Sequence, residues 1–97
     1  MTDREKMPRI DMAGVGDRLE ALRLAINLNR KDFADSFGLD ASSYTKTSCG
    51  EKVLRSEAAY IIAERWGVSM DYLFRGRLTD LPEDLRPRIL RALKSQS

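Results

Sequence analysis

Histidine is absent from the 97 residues, and cysteine occurs once, as Cys49. One cysteine cannot close an internal disulfide, and without histidine the usual zinc-ligand spacings cannot be assembled. No apolar run approaches the roughly 18 residues that a membrane-spanning helix needs. The opening "MTDREKMPRI" is followed by no hydrophobic stretch of the kind a secretory leader carries. Strand-like alternation of apolar and polar residues is missing throughout. The chain has no phosphate-binding glycine loop and no carboxylate pair fixed near a cleft, so an enzyme is not expected. These absences point to a cytoplasmic protein with no cofactor, metal or membrane partner.

What is present is an ordinary globular composition, 42% hydrophobic and 33% charged, in a chain long enough for one modest core. A net charge of +2 says little about partners, so placement must decide. Lys46, Lys52 and Arg55 outnumber Asp40 and Glu51 in the middle, and Arg86, Arg88, Arg91 and Lys94 outnumber Asp80, Glu83 and Asp84 near the end.

Along the chain, Pro8, Gly14 and Gly16 with alternating charges predict a flexible arm over residues 1–16. Asp17 offers an N-cap with Glu20 three residues on as a capping box, and Leu19, Leu22 and Ile26 give a helical stripe over 17–27. Asn29 caps a short helix, about 30–37, whose inward side is Phe33, Ala34 and Phe37 and which Gly38 ends. Asp40 caps the next, about 41–48, with Tyr44 as its one large apolar residue. "SEAAYIIAERWG" carries Ala59, Ile62, Ala63 and Trp66 on one side and ends at Gly67, and Ser69 caps "MDYLFRG". Finally Leu85, Ile89, Leu90 and Leu93 form a stripe in which Pro87 predicts a kink or a turn followed by a helix. The sum is all-α: five short helices and a C-terminal sixth.

The second and third helices carry the functional information. Ala34 is small enough to let two helices approach, Gly38 turns the chain four residues later, and Leu39 and Tyr44 supply apolar contacts from the other side. That is helix-turn-helix spacing, in which the second helix turns its polar face outward. From "RLEALR" through "DFADSFGLD" to "AERWGVSMDYLFRG", about residues 18–76, the chain resembles the Cro and phage-repressor type of helix-turn-helix regulator, the xenobiotic-response-element family. Ala63 to Leu73 is the most specific stretch.

The resemblance implies a compact five-helix, lambda-repressor-like DNA-binding domain over residues 17–77, followed by a C-terminal helical extension over 78–97. It further implies a homodimer on double-stranded DNA, with the helix at 41–48 in the major groove. On that pattern Ala41, Ser42, Thr45 and Lys46 face bases, while Arg30, Lys31, Ser43, Lys52 and Arg55 meet the sugar-phosphate backbone. Lys and Arg supply most of the affinity through phosphates, and Lys46 can donate to guanine O6 and N7. Leu73, Phe74, Leu85, Ile89 and Leu93 are the expected dimer contacts. The chain departs from the family after the third helix, where Thr47, Ser48, Cys49 and Gly50 stand in place of a large apolar residue, Glu, Asn and Gly. Arg23 therefore lacks its usual glutamate partner at position 48, and Arg30 stands where Gln is usual. The expected function is a phage- or prophage-type repressor. The alternative is a protein-interaction module, antirepressor or antitoxin-like, on the same fold.

Overall fold

The computed structural model describes residues 8–96, and in them the backbone is helical without strands. Six helices follow one another: α1 Met12–Ala25, α2 Arg30–Ser36, α3 Ala41–Ser48, α4 Ser56–Trp66, α5 Met70–Arg75 and α6 Arg86–Ser95. None is long and apolar enough to cross a membrane among the described residues.

Helix α1 begins five residues before the expected cap at Asp17. Asp11 takes that role instead, its carboxylate accepting from the Gly14 amide at 3.1 Å. Residues 12–16 thus belong to the helix rather than to an arm, and Val15 and Gly16 are buried in it. Residues 1–7 of the expected arm lie outside the described residues. The far end also differs, because Asn27 adopts φ 60° and stops the helix at Ala25. Asn tolerates the left-handed region better than most residues, and the Asn27 and Leu28 amides then close back on the carbonyls of Leu24 and Arg23.

Local chemistry sets the remaining boundaries close to where the sequence puts them. Asn29, Asp40 and Ser69 each cap with a side-chain oxygen, satisfying amides that have no helical partner. Between α2 and α3 the chain passes through Gly38 at φ +86°, and the Leu39 amide returns to the Ala34 carbonyl at 3.0 Å. Gly67, at φ +77°, closes α4 in the same left-handed conformation. Pro87 lies in the first turn of α6, where a missing amide hydrogen costs nothing. Of the two outcomes expected from Pro87, a kink or a turn followed by a helix, the structure has the second: a turn over 83–85 leads into α6.

The core gathers Leu19 and Leu22 of α1, Phe33 and Ala34 of α2, Tyr44 of α3, Ile62 of α4, Tyr72 and Leu73 of α5 and Ile89 of α6, none with measurable exposure. Phe33 meets Phe37 and Tyr44 edge to face at 5.0 and 5.6 Å between centroids and lies 5.3 Å from Trp66. These rings are packing, not platforms for bases. Tyr72 donates to the Arg18 carbonyl at 2.7 Å, and Arg18 donates back across to the Leu73 carbonyl at 3.0 Å, pinning α5 to α1.

Helix α6 packs chiefly on α1. It runs antiparallel to it, since Arg88 reaches the Ala25 carbonyl and Gln96 the Asp17 carbonyl. This corrects two expected dimer contacts. Ile89 and Leu73 are fully buried within their own chain and have no surface left for a partner. Leu85, Leu93 and Phe74 are half-buried against the same core.

Candidate nucleic-acid interface

Helix α3 has two sides of opposite character. Tyr44 and Thr47 point inward and are buried, Ser43 is half-buried, and Ala41, Ser42, Thr45 and Lys46 are exposed. An eight-residue helix held by one ring and one threonine presents its other face whole. At its start the Asp40 carboxylate accepts from the Ser43 amide at 2.7 Å. That hydrogen bond, aided by the Ser43 hydroxyl and the charges of Lys52 and Lys46, holds the Asp40 carboxyl below its ordinary range. Asp40 is thereby the cap of α3.

After α3 the chain turns back on itself. Gly50 takes φ +82°, and the amides of Glu51 and Lys52 both close on the Lys46 carbonyl, at 2.8 and 3.3 Å. Lys52 is thus tied to the end of α3. Lys52 and Arg55 share a shallow cleft with Asp40, Ser43 and Gly38. Lys46, Lys52 and Arg55 form no ion pair among the described residues. This short stretch of chain thus carries three exposed cations, of which Lys46 and Lys52 act on the Asp40 carboxylate from beyond ion-pair distance.

The two expected backbone contacts on α2 are placed differently. Lys31 pairs with Asp35 one turn along at 3.2 Å, and Arg30 pairs with Glu20 of α1 at 3.2 Å. Both remain exposed, yet each already has a carboxylate. Two hydroxyls on the outer face are likewise engaged: Thr45 donates to the Ala41 carbonyl and Ser48 to the Thr45 carbonyl, both at 3.0 Å. Their oxygens can still accept.

Arg23, which has no carboxylate at position 48 to pair with, holds Glu20 three residues before it in α1. Its Nε and Nη2 hold the two oxygens of Glu20 at 3.1 and 2.9 Å, while Nη1 donates to the Leu28 carbonyl at 2.9 Å. Glu20 therefore serves no capping box with Asp17. It also accepts from the Tyr44 hydroxyl, which reaches it from inside α3. Burial pushes the Glu20 carboxyl up, but hydrogen bonds from Arg23 and Tyr44 and the charges of Arg23 and Arg30 outweigh it and leave the group below its usual range. Burial first, and the adjacent carboxylate second, push the Tyr44 phenol well above its ordinary value, so it stays protonated and donates.

Between α1 and the end of α3 the two backbones approach closely. Gly16 of α1 packs so closely that an added methyl would lie 2.2 Å from the Ser48 carbonyl oxygen, and one at Gly50 would lie 3.1 Å from the Ala13 Cα. Backbone thus meets backbone between α1 and the end of α3. Cys49 is exposed at this junction as a free thiol. Among the described residues no cluster of three metal-ligating side chains occurs. No family model, no curated protein and no solved structure matches the chain.

Proposed function

We propose that this protein is a sequence-specific DNA-binding regulator of the lambda-repressor-like type, a cytoplasmic repressor that acts as a homodimer by occupying operator DNA. The observation that carries the reading is α3: its inner face is pinned by Tyr44 and Thr47, and its outer face offers Lys46 with Lys52 and Arg55 beside it. Such a helix can enter a major groove while flanking cations meet phosphates. Ala41 and Ser42 are short, so discrimination beyond Lys46 relies on a methyl contact, on water and on groove shape.

For the two-fold partner, the inner face of α6 is spent on α1. Its outer side, with Leu78 beneath, forms an open apolar groove of Leu78, Pro87, Leu90 and Leu93 flanked by Arg91, and this groove is the dimer contact in this reading. Selection from a randomised pool of short duplexes tests the function. The expected product is an inverted repeat with half-sites about one helical turn apart; a pool that stays random after several rounds would sink it.

The alternative, a protein-interaction module on the same fold, draws on the engaged groups: Arg30 and Lys31 are already ion-paired, and Thr45 and Ser48 donate to their own helix. A random pool together with a stoichiometric complex with another protein would favour it.

A further inference from the structure

The Glu20 node joins three helices through one carboxylate. Oε2 accepts from the Tyr44 hydroxyl of α3 and from Arg23 Nε, and Oε1 accepts from Arg23 Nη2 and Arg30 Nη2 of α2. Arg23 carries the chain on to the Leu28 carbonyl, directly ahead of the α2 cap. Exposure divides the members: the side chains of Arg23 and Glu20 are 13% and 17% exposed, whereas Arg30 is 61% exposed. Three groups form a shielded frame, and the fourth is an arm reaching from it into solvent.

We propose that Glu20 is a positioning residue for DNA recognition: through Tyr44 it sets how α3 is rolled in the groove, and through Arg30 it withholds a cation from the phosphates. This rests on the DNA-binding reading above. Tyr44 stands two residues before Lys46 on the opposite face of α3, so any roll of the helix that moves the hydroxyl also moves the reading face. Ring contacts with Phe33 and Phe37 at 5.6 and 6.3 Å hold the ring in the core, and the hydroxyl adds a directional bond at its far end. A phenylalanine would fill the same space and satisfy burial. What the hydroxyl contributes is a single arrangement, the usual benefit of a fully satisfied buried network. Arg30, held to Glu20 at 3.2 Å, shares that one carboxylate with Arg23, so meeting a phosphate means giving up this contact.

Two conservative variants separate positioning from mere stapling, with binding to a selected duplex and to a scrambled one measured across salt on protein verified as folded by circular dichroism. Tyr44→Phe changes no charge, so the salt slope stays as in the wild type while the selected-to-scrambled affinity ratio falls by about tenfold. Glu20→Gln frees Arg30, so binding to the scrambled duplex tightens and the slope of log K against log salt steepens by about one. Arg30→Ala added to Glu20→Gln removes that extra slope. Should Glu20→Gln fail to fold, Tyr44→Phe still decides the first half of the claim. Variants that are less stable but keep the wild-type ratio and slope overturn the proposal and leave the DNA reading standing. A wild-type chain with no preference between the duplexes overturns both.

Discussion

A methyl group at Gly16 would sit 2.2 Å from the Ser48 carbonyl oxygen and 2.7 Å from its carbon, both backbone atoms that cannot swing aside. Alanine in place of a helical glycine gains about 1 kcal/mol of propensity, while overpacking a tight contact costs about 1–3 kcal/mol. Here the overlap is with backbone, so the loss prevails: Gly16→Ala is expected to lower stability by about 2 kcal/mol in urea denaturation. A second residue-scale expectation concerns pH. The Glu20 carboxyl lies lower in the folded chain than the ordinary glutamate value of about 4.3 in the unfolded one. Its contribution is therefore complete above that value and disappears as pH falls through the folded one. Asp40 shifts in the same direction, so whatever its carboxylate contributes is also lost on acidification. Subtracting the acid-unfolding curve of Glu20→Gln isolates the part due to Glu20, which should be full and independent of pH above about pH 5 and shrink as pH falls below it. The exposure of Ala41, Ser42, Thr45 and Lys46 was legible from helical periodicity around Tyr44. The Glu20 node was not. An Asp-x-x-Glu spacing fits a capping box wherever it occurs, and nothing local says that a tyrosine 24 residues later will claim the carboxylate.

At the scale of elements, α6 shows what a stripe can and cannot say. Leu85, Ile89 and Leu93 recur at helical spacing, so the helix and its apolar face are readable from the chain. The stripe does not say what covers it: α6 lies antiparallel on α1, reaching the Ala25 and Asp17 carbonyls, while α1 itself begins at Met12 with Asp11 as its cap. Gly14 and Gly16 argue locally against a helix, and only the approach of α3 explains Gly16. Ile89 lies at 0% exposure with Ala92 one turn on, against α1. Ile89→Ala should accordingly cost about 2–5 kcal/mol of folding stability, measurable as a lowered urea midpoint. A dimer contact alone would instead make stability depend on protein concentration and leave the diluted monomer unharmed. The α4–α5 junction was the most legible of all. Gly67 in the left-handed conformation, buried Val68, the Ser69 cap and buried Tyr72 each do what their residue type predicts.

For the whole molecule, the proposal divides the surface between two tasks: α3 and its following loop for DNA, the outer groove of α6 for a second copy. Leu90 lines that groove and is half-buried, so Leu90→Asp is expected to leave the chain folded and shift it from dimer to monomer in sedimentation equilibrium. An unchanged mass would place the two-fold elsewhere. A net charge of +2 gives little bulk attraction to a polyanion, so affinity has to come from where Lys46, Lys52 and Arg55 stand. The most direct test of that claim is the salt dependence of binding to a selected duplex, wild type against Lys46→Ala. The account predicts a steep fall of wild-type affinity with salt and a loss of about 1–3 kcal/mol for Lys46→Ala on the selected duplex, with a smaller loss on a scrambled one. Equal affinities of the two proteins for both duplexes at every salt concentration would contradict it.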